Sequence, residues 1–371
     1  MSRVVDPPVL GEMLAELVRT GHTLIGPTVR DKAIAYEEIL GLADLPVGWT
    51  AVQSGGRYQL EQRGDGAFFG FASTAQSYRP LFHVPVERLV TLRRTRQDWS
   101  VEEKPIASRK LALIGARACD LQALAIQDRI FMGGAFADRH YAARREGTFV
   151  VAVNCGVAGG TCFCVSMGTG PRATHGYDLA LTEILEGTHR FVVEVATEAG
   201  SALLAAVPSR EANGDDVAAA ERTVDRARHS MGRSMDTRGI RDLLYQNLEH
   251  PRWDDVASRC LSCTNCTLVC PTCFCQTVED VPSVDPDVVE RRRRWDSCFT
   301  EEHSHLHGGS VRASTRARYR QWLTHKLAGW IDQFGMSGCV GCGRCITWCP
   351  TAIDITEEVL AIRGGDPEKP A

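Results

Sequence analysis

No stretch of this 371-residue chain reaches the run of about eighteen apolar residues that a membrane span requires. Its first thirteen residues lack the continuous apolar core of a signal peptide. Both absences predict a cytoplasmic protein with no membrane contact. There is no large excess of either charge, since the formal net charge is -4 and the pI near 6.3. That balance gives no general pull toward nucleic acid or anionic lipid, so no nucleic-acid partner is expected. A nucleotide fingerprint is missing too. A dinucleotide site of the usual kind needs G-x-G-x-x-G at a strand-to-helix turn, so that backbone amides can approach the pyrophosphate. Gly156 to Gly160 and Gly168 to Gly170 do not have that spacing, and no Walker A run occurs. Electrons from a nicotinamide would have to enter through a partner.

What the chain has in plenty is cysteine, fifteen in all. Cys260, Cys263, Cys266 and Cys270, followed by Pro271, spell C-x2-C-x2-C-x3-C-P, and Cys339, Cys342, Cys345, Cys349 and Pro350 spell it again. Three thiolates on one short loop can wrap one face of an iron-sulfur cubane. The fourth cysteine, expected to start a helix, points elsewhere. In two-cluster ferredoxins the fourth cysteine of such a run ligates the other cluster. Cys260, Cys263, Cys266 and Cys349 are therefore assigned to one 4Fe-4S centre, and Cys339, Cys342, Cys345 and Cys270 to a second. Zinc sites pair one C-x2-4-C with another and do not need runs of four, and buried free thiols would not repeat one spacing.

Ahead of these runs the pattern alternates. Leu111 to Gly115 and Phe149 to Val153 are apolar runs that predict buried strands, and Asp120 to Phe131 between them has helical spacing. This strand-helix-strand unit predicts an α/β sheet. Asp178 to Leu185 and His189 to Val195 flank a turn, Glu198 to Val207 is helical, and 208–216 is a polar loop before a helix over 217–231. A boundary near His250 to Arg259 divides the chain into an α/β domain, 1–250, and a cluster-bearing domain, 251–371. The two runs lie 69 residues apart, counting from Cys270 to Cys339. Between them Val288 to Trp295 and Arg316 to Phe334 carry apolar residues at helical spacing, which predicts an α-helical ferredoxin domain.

Seven cysteines lie outside the assigned ligands. Cys119 and Cys155 each follow a predicted strand, at the end where α/β folds place sites, and Cys162 and Cys164 would project to one side if extended. These four form a candidate third metal or cluster site, weighed against ordinary buried thiols. Cys273, Cys275 and Cys298 are expected to pack around the clusters, with Cys273 an alternative to Cys270 as ligand. His303, His305 and His307 sit in a loop without paired ligands and are expected to be surface or packing residues. Between Glu290 and Lys326 nine basic residues face four acidic ones, a pattern of solvated faces or a basic docking face.

Several long strings resemble one family. They are 154–171 (NCGVAGGTCFCVSMGTGP), 176–183 (GYDLALTE), 260–275 (CLSCTNCTLVCPTCFC), 291–298 (RRRRWDSC) and 334–350 (FGMSGCVGCGRCITWCP). The resemblance is to the 4Fe-4S dicluster subunit family, which contains the beta subunit of cytosolic sulfhydrogenase-type nickel-iron hydrogenases and the dicluster subunit of anaerobic sulfite reductase. It covers most of the chain from about residue 107 to 356. One departure is Arg117-Ala118-Cys119-Asp120, where relatives often carry proline before the cysteine. The resemblance implies an electron-transfer subunit, not catalytic alone, between a flavoprotein subunit that reacts with NAD(P)H and a catalytic metallosubunit of hydrogenase or sulfite reductase. A self-sufficient flavin-dependent iron-sulfur oxidoreductase is the other alternative.

Overall fold

The computed structural model of the chain describes all residues except 1, 97, 104, 107, 108 and 366–371. Its longer strands, in chain order, are β1 (Ser2–Val5), β2 (Thr23–Arg30), β3 (Ala33–Ile39), β4 (Trp49–Ser54), β5 (Arg57–Gln62), β6 (Val86–Arg94), β7 (Trp99–Glu103), β8 (Leu111–Ala116), β9 (Phe149–Val153), β10 (Leu179–Ile184), β11 (Arg190–Val195), β12 (Arg210–Glu211), β13 (Gln276–Pro282) and β14 (Val288–Trp295). The main sheet runs β12-β1-β11-β10-β9-β8-β2-β3. Its centre, β10, β9, β8 and β2, is parallel, and antiparallel strands flank it on both sides.

Every residue of β8, β9 and β10 is buried, which is why β8 and β9 are continuous apolar runs; in β10 the buried Thr182 accepts from the Asn154 side chain and Glu183 from the Phe68 and Phe69 N–H groups. The helix Pro7–Arg19 places Leu10, Met13, Leu14 and Leu17 at helical spacing on one face of the sheet. On the other face the helix Ala118–Met132 buries Leu121 and Leu124. The predicted strand-helix-strand unit is thus present, with β8 and β9 parallel as a crossover demands.

The departure at Ala118 falls where proline is tolerated. Arg117 is the extended N-cap of that helix, at φ -84° and ψ 159°, and Ala118 is its first residue. Proline is preorganised for this position, and the extended conformation suits a residue preceding proline. The Ala118→Pro variant is expected to fold with an unchanged or slightly raised thermal midpoint, a shift of at most about 1 kcal/mol.

Two segments differ from the sequence expectation. The helix expected over 217–231 spans Gly214–His229, starting three residues earlier because the Asn213 side chain accepts from the Asp216 N–H at 2.9 Å. Asp216 in return accepts from the Asn213 N–H at 3.1 Å, closing a capping box. The preceding segment, expected to be loop, contributes β12 to the sheet edge. The larger difference is 288–295, a strand and not a helix. β14 pairs antiparallel with β13 on one side and β6 on the other, giving a second sheet in the order β13-β14-β6-β7. Its arginines are ion-paired: Arg291 with Asp280 and Arg294 with Glu279 across the ladder, and the buried Arg293 with Glu87 of β6 and Asp138.

The helical part of the C-terminal region is built from Arg252–Arg259, Thr315–Thr324, Trp330–Phe334 and Ile355–Ile362. Trp253, Tyr319, Trp322, Leu323, Leu327 and Val359 form its core, together with Phe163, Met235 and Leu244 from earlier in the chain. An N-terminal mixed α/β sheet domain is therefore followed by a helical region, with a sheet and a hydrophobic core running between them. Among the described residues no helix is long and apolar enough to cross a membrane.

Candidate metal centre

The two cysteine runs fold into the same local shape. In the first, Ser262 and Thr264 have left-handed backbone, at φ 50° and 69°; in the second, Gly341 and Gly343 occupy the matching places at 64° and 74°. The turn brings the Ser262 N–H to 3.4 Å from Cys260 Sγ and the Gly341 N–H to 3.5 Å from Cys339 Sγ. Backbone N–H groups turned toward sulfur in this way are the donors that stabilise a negatively charged cluster. Each turn leads into a one-turn helix, Asn265–Leu268 or Arg344–Thr347. The third cysteine of each run lies in that helix and the fourth just beyond its end, so the fourth does not start a helix as its spacing suggested.

The two one-turn helices pack against one another. Cys349 lines one cavity with Cys260, Cys263 and Cys266, walled by Phe299, Tyr319 and Trp322. Burial, then the neighbouring sulfurs of Cys260, Cys349 and Cys263, push the Cys266 thiol well above its usual range. Burial, then Cys339, Cys342 and Cys270, do the same to Cys345. Buried thiols that raise one another's pKa cannot ionise together unless positive charge is supplied among them, which is the donor chemistry of an iron-sulfur centre. The residues present therefore fit that group.

Second-run packing explains its glycines. A Cβ on Gly343 would lie 2.3 Å from the Thr161 carbonyl oxygen, and one on Gly341 would lie 2.7 Å from Cys164 Cα. The 154–171 loop closes over this run: Phe163 N–H donates to the Gly341 carbonyl at 2.8 Å, and the Thr169 hydroxyl donates to the Val340 carbonyl at 2.7 Å. Gly343→Ala is expected to cost at least about 2 kcal/mol, from overlap and left-handed strain together. Thr264→Gly, at the matching place in the first run, should gain about 1 kcal/mol. Thermal denaturation of the two variants checks the contrast.

Four residues that sequence patterns did not single out hold the arrangement. Lys326, buried in a π-helical turn over His325–Gly329, donates to Cys270 Sγ at 3.2 Å and to the Thr272 hydroxyl at 3.0 Å. Burial works against its charge, but the sulfurs of Cys270, Cys273 and Cys339 outweigh burial and hold it well above the lysine range. Arg79 reaches from the α/β side to the end of the first one-turn helix. It donates to the carbonyls of Thr267 at 2.9 Å, Cys270 at 2.8 Å and Cys273 at 3.0 Å, and lies 3.5 Å over the Trp295 ring. A cation there complements the exposed carbonyls of a helix C-terminus. Arg344 and Asp120 form a buried ion pair at 2.9 Å between the second run and the helix after β8. None of these pairings has a local signature, since each joins residues far apart in sequence.

Cys119, Cys155, Cys162 and Cys164 gather at the end of β8 and β9, against the second run. Cys162 Sγ lies 3.9 Å from the Cys342 carbonyl oxygen, and burial, then Cys155 and Cys162, push the Cys164 thiol up. Among the described residues no three His, Cys, Asp or Glu side chains converge closely enough to hold a single metal ion. The Cys273 and Cys270 carbonyls both accept from the Arg79 guanidinium. Of the three histidines, His305 and His307 are exposed and His303 is half-buried, with Nδ1 2.9 Å from Asp296. Arg291 to Arg294, Arg316 and Arg320 of the basic stretch are all in ion pairs.

Residues 259–353 match the family model for a 4Fe-4S dicluster domain. The chain is 30% identical, over 259 residues, to the sulfhydrogenase 2 subunit beta of Pyrococcus furiosus, a match that covers 69% of this chain and 75% of that protein. An iron-sulfur, electron-transfer role in an oxidoreductase follows from the two matches together. The chain belongs to the 4Fe-4S dicluster subunit family, that of sulfhydrogenase beta subunits and the dicluster subunits of anaerobic sulfite reductases.

Proposed function

We propose that this protein is the two-centre electron relay of a cytoplasmic oxidoreductase complex, set between an NAD(P)H-linked flavoprotein subunit and a catalytic subunit of nickel-iron hydrogenase type. Cys260, Cys263, Cys266 and Cys349 would hold one 4Fe-4S cluster, and Cys339, Cys342, Cys345 and Cys270 the other. The observation that supports the proposal is that Cys349 lines a cavity with Cys260, Cys263 and Cys266, while Cys270 is among the sulfurs acting on Cys345 together with Cys339 and Cys342. Bound there, such clusters supply one-electron transfer and can divide the two-electron output of a flavin. The chain's own part is to exclude water with Phe299, Tyr319 and Trp322 on one side and the 154–171 loop on the other. Lys326 places a fixed positive charge beside one sulfur. We further take the chain as two domains, 1–250 and 251–371, joined through β6 and β14.

Anaerobic copurification tests the assignment of partners. A flavoprotein and a nickel-iron subunit in the same complex are the expected result. A siroheme subunit in their place would make the protein part of an anaerobic sulfite reductase, and stoichiometric flavin on the isolated chain would make it a self-sufficient oxidoreductase. Iron per chain tests the count. About eight is expected for two cubanes, and about twelve would establish a third at Cys119, Cys155, Cys162 and Cys164.

A further inference from the structure

Two buried cations converge on Cys270, and among the described residues their hydrogen bonds reach no carboxylate. Lys326, 5% exposed, donates to the Cys270 sulfur at 3.2 Å and to the Thr272 hydroxyl at 3.0 Å. Arg79, equally buried, directs its Nη1 and Nη2 donors to the carbonyls of Thr267, Leu268, Cys270 and Cys273, and its Nε has no partner. Arg344, the third buried cation of this region, is by contrast neutralised by Asp120. A buried charge without a counter-ion is costly, so an anion has to stand against Lys326 and Arg79. At Cys270 that anion is the sulfur and the centre it serves.

The chain fixes the lysine from both cysteine runs. Its ammonium faces the first run, while its carbonyl, in the π-helical turn His325–Gly329, accepts from the Gly338 N–H at 2.8 Å at the start of the second. The Thr272 hydroxyl that receives the ammonium donates in turn to the Gly338 carbonyl at 2.7 Å. Turns of this type are rare and are found frequently at functional sites. This one seats a single positive charge between the two runs. The other four cysteines lie in the opposite environment. Among the described residues no charged side chain lines their cavity, and Phe299, Tyr319, Trp322, Ile353 and Ile355 wall it. Of the eight cysteines only Cys263 is exposed, and Leu261 beside it is exposed too.

We propose that Lys326, supported by Arg79, polarises the relay: the buried Cys270 centre holds the electron, and the Cys263 centre at the surface exchanges it with a partner subunit. The inference rests on the two-centre reading given above. Reduction adds one negative charge to a four-cysteine centre, and a fixed ammonium beside one of its sulfurs favours that charge. One electron leaves the set of Cys260, Cys263, Cys266 and Cys349 and arrives at the set of Cys339, Cys342, Cys345 and Cys270. No proton is taken up or released, because the positive charge is already in place. A unit charge several ångström away, at an effective dielectric near 20, shifts such an equilibrium roughly 10- to 100-fold. At about 59 mV per tenfold for one electron, this is roughly 60 to 120 mV.

The test is a redox titration of the full iron-loaded chain without oxygen, followed by electron paramagnetic resonance. Wild type should show two centres, and the one reduced first should be the one that survives in Cys349→Ser. Lys326→Met keeps the length of the side chain and removes its charge. It should move that centre roughly 10- to 100-fold toward the oxidised form, with the other centre unmoved and iron at the wild-type level. Lys326→Arg should recover most of the difference. Where Lys326→Met does not retain its iron, Lys326→Gln, which keeps a donor for Cys270, should show the same shift. An unmoved potential in an iron-replete Met or Gln variant overturns the proposal. So does a first electron that goes to the Cys263 centre of wild type, and so does loss of iron from both variants, which would make Lys326 a structural residue alone. Two centres with unmoved potentials refute the polarity and leave the relay standing, whereas a single centre in wild type refutes the relay and this inference with it.

Discussion

Replacing Cys349 with serine is expected to empty the site formed by Cys260, Cys263 and Cys266, and to spare the three cysteines of its own run. Each run's first three sulfurs come from one left-handed turn, which the packing of the one-turn helices fixes independently of the fourth. Cys349 instead lines the cavity of the other run, where Ile353 N–H donates to its sulfur at 3.3 Å. Serine is a poor iron ligand, so iron should fall from about eight to about four per chain. Cys270→Ser should remove the complementary half. The two losses should be told apart because, among the described residues, only Cys270 of the eight has a lysine ammonium at its sulfur, which should give its centre a distinct potential. Redox titration followed by electron paramagnetic resonance would show which centre survives in each variant. If Cys349→Ser lost the centre of Cys339, Cys342 and Cys345, the exchange would be wrong.

Asp120→Ala should be the most destabilising single change outside the cysteines. Its carboxylate accepts from Arg344 at 2.9 Å, from the Tyr36 hydroxyl at 3.1 Å and from the Arg117 N–H at 3.2 Å. The Asp120 and Arg344 side chains are 1% and 0% exposed. Removing the acid leaves the guanidinium with no counter-charge and no route to water, and its Nη1 already lacks a partner. An uncompensated buried charge of this kind costs about 3–5 kcal/mol. The damage should also spread, because Arg344 stands between Gly343 and Cys345 and anchors the second run to the α/β sheet through the Thr74 carbonyl at 2.9 Å. A fall in thermal midpoint together with loss of iron from that run alone is the expected outcome. Asp120→Asn keeps an acceptor but not the charge, and should lie between.

How far the molecule could be foreseen from its sequence depended on the range of the interactions involved. The cysteine runs were readable because ligand spacing is a property of one turn of chain. β8 and β9 were readable because a strand buried on both faces has no choice but to be apolar throughout. β14 was not. Its apolar residues, Val288, Val289 and Trp295, satisfy either period, and the decision came from β6, whose Arg88 pairs with Arg292 across more than half the chain. The start of the helix at Gly214 was set by a reciprocal cap that a polar segment disguised as loop. Lys326 and Arg79 were invisible for the same reason as β14. One meets Cys270 across 56 residues and the other across 191, and nothing near either residue announces the contact.

The pairing of β6 with β14 also governs the order in which the molecule can be made. β6 and β7 leave the ribosome nearly two hundred residues before β14, and until then the β6 edge has no neighbour on that side. An unpaired edge of this kind is a template for association with other nascent chains. Cys260 to Cys275 also emerge before the strand that closes beside them. Iron delivered early would therefore meet an incomplete chamber, and the maturation machinery has reason to wait for the last hundred residues of translation.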